Sequence, residues 1–171
     1  ESSDFAEVAK WLNTEKGIPA TSLGMFGVSG GAIATSLVPA KSELVSAFAM
    51  EGTIFDFNAA ATQEVEFQGF PGFLWQFAQG AALVLHGVNL AETCVKTSIE
   101  KAGERPMLIL HGDADQRLKY QSSVDFYDYA KSVGSNITLE TFEGADHTEG
   151  MLSETDRYAT ALVEFFDSSL R

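Results

Sequence analysis

Gly27-Val28-Ser29-Gly30-Gly31 is the stretch on which the reading of this sequence turns. An apolar run over residues 23–28 enters it, and a run of small residues suited to a helix leaves it toward Leu37. Strand, sharp turn and helix in that order hold the central serine proud of a sheet, with Gly27 and Gly31 on either side. Strand and helix approach each other closely in such a turn. A Cβ at Gly27 or Gly31 is therefore expected to clash, and any positive φ is expected to fall to glycine.

A serine hydroxyl is a poor nucleophile at neutral pH, so one held on a strained turn calls for a base and for a group that orients the base. In this kind of turn the partners follow in the order acid, then histidine, each after a later strand. Asp115 comes just after the apolar run 107–110, and His147 just after the alternating run 136–142. Parallel strands end on one side of a sheet, so these loops converge there. Ser29 Oγ is then placed to attack an acyl carbonyl while one ring nitrogen of His147 takes its proton and Asp115 holds the other ring N–H. The backbone N–H of Gly30, at the start of a helix, is the first donor for the developing oxyanion, and a second is normally required.

Other residues compete or support. Asp113, in the same loop as Asp115, and Glu51, after the second strand, are alternative acids. His111 reads as a structural residue at a strand end, Asp146 as a turn former, and Lys96, Lys101 and Arg105 as a solvated patch. Phe70, Phe73, Trp75 and Phe77 crowd one segment and are the expected substrate pocket.

The chain in order reads as α/β. A helix over residues 3–16 is followed by strand 21–28, helix 30–38 and strand 44–50. Residues 58–101 are too long for a simple crossover and are expected to be a helical cap insertion, with helices over 71–86 and 90–102 the strongest. Strand 107–110, helix Tyr120–Ser132, strand 136–142 and a helix over 151–170 complete one domain over residues 1–171 with about four mainly parallel strands.

Composition excludes several classes. Of 171 residues, 45% are apolar and 15 are glycine, ordinary for a globular chain. Net charge is −13, from 24 acidic against 11 basic residues, which repels nucleic acid and anionic lipid. The apolar stretch 73–85 is interrupted by Gln76, Gln79 and Gly80 and is too short to span a bilayer. Cys94 is the only cysteine, so no intrachain disulfide and no cysteine metal site is expected. No phosphate loop, dinucleotide fingerprint or metal-ligand spacing stands out, and no cofactor or metal is expected.

The elbow at residues 27–31, the His111-Gly112-Asp113-Ala114-Asp115 loop and the Gly144-Ala145-Asp146-His147 loop together resemble, in order, the landmarks of the C-terminal half of an α/β-hydrolase. The likeness covers nearly the whole chain and extends to esterases of the dienelactone hydrolase kind and to the prolyl oligopeptidase group. It implies Ser29 as nucleophile, Asp115 as triad acid and His147 as base. The implied activity is hydrolysis of a small-molecule carboxylic ester through an acyl-serine. A serine peptidase or acyl-peptide hydrolase is the alternative, and an idle binding module that kept the elbow is a rival from another class. In that family further strands and an oxyanion loop precede the elbow, whereas one helix precedes it here. The elbow strand is thus expected at a sheet edge, paired by a second copy or by a separate chain carrying the N-terminal strands.

Overall fold

The computed structural model describes residues 2–87 and 94–171. The elements run α1 (Ser2–Lys16), β1 (Gly24–Val28), α2 (Gly30–Leu37), β2 (Ala47–Glu51), α3 (Phe57–Phe67), α4 (Leu74–His86), α5 (Val95–Ala102), β3 (Met107–Gly112), α6 (Tyr120–Ser132), β4 (Ile137–Phe142), α7 (Gly150–Ser153) and α8 (Thr155–Ser169).

The four strands form one parallel sheet in the order β1-β2-β3-β4. Alternation within the strands sorts the core into two layers. Phe48 and Met50 of β2, with Met107 and Ile109 of β3, turn to one face, where they meet Ala9 of α1, Ala32 of α2, Ile99 of α5 and Phe126 of α6. Ala49, Leu108 and Leu110 turn to the other and meet Tyr158, Leu162, Phe165 and Phe166 of α8. Every residue of β2 and β3 is buried, as continuous apolar strands covered on both faces should be.

Register fixes where the chemistry lies. Val28 pairs with Glu51, Glu51 with Leu110, and Gly112 with Phe142, so the four C-terminal strand ends share one rim. The segments after β1, β3 and β4 start from that rim. Among the described residues no strand pairs beyond β1, whose Phe26 and Val28 are exposed.

Local expectations differ from the structure at several points; the strand expected over 21–28 starts at Gly24, because Ala20–Ser22 form a turn of 3-10 helix. The final helix is two helices, because Glu154 leaves helical geometry at φ −138°, ψ 61°. The insertion includes α3, outside the two strongest helices of the sequence reading, while residues 90–93 of the helix expected over 90–102 lie outside the described residues. Arg105 is no surface charge. Its guanidinium donates to the carbonyls of Pro39, Ser42, Val45, Lys101 and Ala102, tying α5 to the loop before β2. Burial lowers its pKa from the ordinary arginine range.

No described helix is long and apolar enough to cross a membrane.

Candidate active site

The elbow is built by one glycine rather than two. A Cβ on Gly27 would lie 2.2 Å from the carbonyl oxygen of Gly31, so the strand is pressed against the helix that follows it. Gly31 has open space where its Cβ would stand. The strained backbone falls on the serine itself, at φ 53° and ψ −116°, a conformation that costs a non-glycine residue about 1–3 kcal/mol. It is held from both sides: Ser29 N–H donates to Glu51 O at 2.8 Å, and Ile33 N–H donates to Ser29 O at 3.1 Å. Gly27→Ala is expected to lower stability by about 3 kcal/mol, because backbone rather than a flexible side chain blocks the added methyl. The shift of the urea midpoint measures it.

The three loops meet. Asp115 Oδ2 accepts the His147 Nδ1–H at 2.8 Å, which leaves Nε2 free to accept the Ser29 hydroxyl at 2.9 Å. Gly112 makes the approach of the acid and histidine loops possible, since a Cβ there would sit 2.2 Å from Ala145 O. Ala114 N–H then donates to that same carbonyl at 3.1 Å.

Asp115 is saturated with donors. Its Oδ1 accepts the backbone N–H groups of Arg117 and Leu118 at 2.8 and 2.7 Å, and its Oδ2 accepts from both His147 and His111. Burial alone raises its pKa, but the hydrogen bonds from His111, His147 and Leu118 outweigh burial and hold the carboxyl well below the usual carboxylate range. It therefore stays charged beside the imidazole.

The competing acids are engaged elsewhere. Glu51 Oε2 accepts from the Tyr158 hydroxyl at 2.6 Å; burial and that glutamate raise the Tyr158 pKa, so the phenol remains a donor. Asp113 Oδ1 accepts the Gly144 N–H at 2.7 Å. Asp146 Oδ1 accepts the N–H groups of Gln116 and His147, the work of a turn former.

A cavity of about 250 Å³ opens beside Ser29 and Gly30, walled by Ile33, Ile54, Phe57, Ala60, Ala61 and Leu118, with Glu64 and Arg117 also lining it. Phe57, Ala60, Ala61 and Glu64 recur on one face of α3 at spacings of three and four, a signal in the sequence that passed unused because two of the four are alanine. Arg117 grips Glu64 with two hydrogen bonds, Nε to Oε2 at 2.8 Å and an Nη to Oε1 at 2.9 Å, and Gln63 donates to Arg117 O, so α3 is strapped to the acid loop. The arginine contact keeps Glu64 below its usual pKa range.

None of Phe70, Phe73, Trp75 and Phe77 is among the residues lining this cavity. Phe70, Phe73 and Phe77 are 60–70% exposed. Trp75 leans on Phe57 and donates to Asn58, fixing α4 to the start of α3.

Comparison with known proteins agrees with this architecture. The sequence pattern described as the prolyl oligopeptidase family matches residues 1–171. Mouse inactive dipeptidyl peptidase 10 is 25% identical over 173 residues, covering 100% of this chain and 20% of that protein. A puromycin-hydrolyzing peptidase of Mycobacterium tuberculosis superposes with a TM-score of 0.76 at 19% identity, over 95% of this chain and 24% of its own. An esterase of Pyrococcus furiosus superposes with a TM-score of 0.73 at 17% identity, over 98% of this chain and 62% of its own. The chain thus spans about a fifth of the curated relative it matches from end to end.

Proposed function

The chain belongs to the prolyl oligopeptidase family, a family of serine hydrolases, and from that membership we propose that it cleaves a carboxylic ester through an acyl-serine formed on Ser29. The hydrogen-bonded line from Ser29 Oγ through His147 to Asp115 carries the reading. As Oγ bonds to the acyl carbon, its proton passes to Nε2, and the ionised Asp115 stabilises the imidazolium. Collapse of the tetrahedral intermediate breaks the ester C–O bond and returns that proton to the leaving alcohol. Water, deprotonated by the same nitrogen, then releases the acid. The N–H of Gly30, opening α2, faces the oxyanion as its first donor.

The acyl group occupies the cavity between α2 and α3, whose walls favour an apolar chain or ring. Residues 58–101 act as a cap over Ser29 within one domain. A second copy, or a separate chain carrying the N-terminal strands, pairs along the open edge of β1 and brings the second oxyanion donor; the mass of the species in solution tests that partner.

Cleavage of a peptide or acyl-amide bond is the second reading. It is favoured by the family match and by relatives that are named as peptidases. The same triad serves both, so aminoacyl amides decide between them: turnover of the amides supports the second reading, and turnover of short p-nitrophenyl esters with no cleavage of the amides supports the first. Ala61→Phe is expected to fill the cavity and slow esters of long or branched acids about tenfold more than the acetate. Equal slowing of both would place the acyl group elsewhere.

A further inference from the structure

His111 is a buried histidine that the acyl-transfer steps do not use. It is 1% exposed and has a partner for each ring nitrogen. Nε2 lies 3.0 Å from Asp115 Oδ2 and 3.0 Å from Leu118 O. Both are acceptors, so Nε2 must carry a hydrogen. Nδ1 lies 2.6 Å from the fully buried hydroxyl of Ser123, a group that donates as readily as it accepts. A hydroxyl that donates into Nδ1 leaves the ring neutral, which spares this fully enclosed imidazole the desolvation cost of a positive charge. We propose that His111 is a positioning residue: a neutral imidazole, protonated on Nε2 and set by Ser123, which holds Asp115 Oδ2 where it accepts the Nδ1–H of His147.

The line of hydrogen bonds thus has five members, Ser29, His147, Asp115, His111 and Ser123. Asp115 sits on a loop, and its Oδ1 is fixed by two backbone donors. Without His111 the other oxygen answers to His147 alone, and the carboxylate is free to tilt about the fixed one. His147 and His111 are the titratable groups in contact with the carboxylate, with Arg117 acting on it by charge and the Tyr120 ring standing edge-on to His111 at 5.7 Å. The role rests on the triad reading for its effect on turnover, though not for its effect on Asp115.

The chain has three histidines, so ring ¹⁵N spectra of the folded protein assign each tautomer directly. The expected spectrum shows His111 neutral with its hydrogen on Nε2. His111→Leu is expected to lower kcat about tenfold while KM stays within about twofold, and to move the ¹³C titration of the Asp115 carboxyl to higher pH. His111→Gln keeps an N–H donor and recovers most of both. A hydrogen on Nδ1 alone, or a folded His111→Leu whose turnover and Asp115 titration match the parent, overturns the proposal. If His111→Leu does not fold, the parent spectrum and His111→Gln carry the test. A parent that hydrolyses nothing, yet shows the expected tautomer and an Asp115 titration displaced in His111→Leu and restored in His111→Gln, defeats the hydrolase reading and leaves the positioning role standing.

Discussion

Ser29→Ala is expected to lower turnover on the order of 10⁵–10⁶-fold while leaving the denaturation midpoint close to that of the parent. The size follows from the unit the hydroxyl belongs to: on the proposed mechanism His147 and Asp115 take up the proton of the attacking Ser29 Oγ, so losing the hydroxyl idles the other two. Stability is expected to hold because the backbone bonds of Ser29 to Glu51 and Ile33 do not involve the hydroxyl. Steady-state kinetics on the parent's best ester, with the melt recorded alongside, check both parts. A variant that retains a tenth of the activity would show that another group performs the attack.

The second large effect is expected from Asp115→Asn, a change of one atom. The Oδ1 side of the carboxylate faces two backbone donors, so the new amide keeps its carbonyl oxygen there. Its NH₂ is thereby turned toward His147 Nδ1. An imidazole facing a donor at Nδ1 must carry its hydrogen on Nε2, where it no longer accepts the serine proton. The loss is expected to be about 10⁴-fold. It should be far smaller for Asp113→Asn, whose carboxylate serves a backbone N–H of the neighbouring loop. Equal losses in the two variants would contradict the assignment.

The parts of this fold that were legible in the sequence are those whose cause is local. Apolar runs announce β1 and β3, and small residues after a strand announce the close approach of α2. Two loops with an acid and a histidine after later strands place both on the rim that holds Ser29. What stayed hidden depends on neighbours distant in sequence. That the positive φ falls on Ser29 rather than on Gly31 follows from where the strand meets the helix. Arg105 looked solvated because arginine usually is; five carbonyls from three segments make it an internal anchor. The aromatic residues in and just before α4 are a second case. They suggest a pocket, but Trp75 is tied to Asn58 and Phe57 of α3, Phe70, Phe73 and Phe77 are exposed, and the cavity beside Ser29 takes Phe57, Ala60 and Ala61 of α3 into its wall instead. His111 reads as structural in the sequence, and its bond to Asp115 emerges only when the loop folds back over four residues.

The transfer of one proton, from Ser29 Oγ to His147 Nε2, separates a hydrolase from an idle module that keeps the elbow. Only an activated serine reacts with an alkyl fluorophosphonate, so the decisive measurement is the intact mass of the folded protein after exposure to such a probe, followed by peptide mapping. The account predicts one adduct per chain, on Ser29, absent from Ser29→Ala. A folded parent that stays unmodified, or one labelled at another residue, would contradict it.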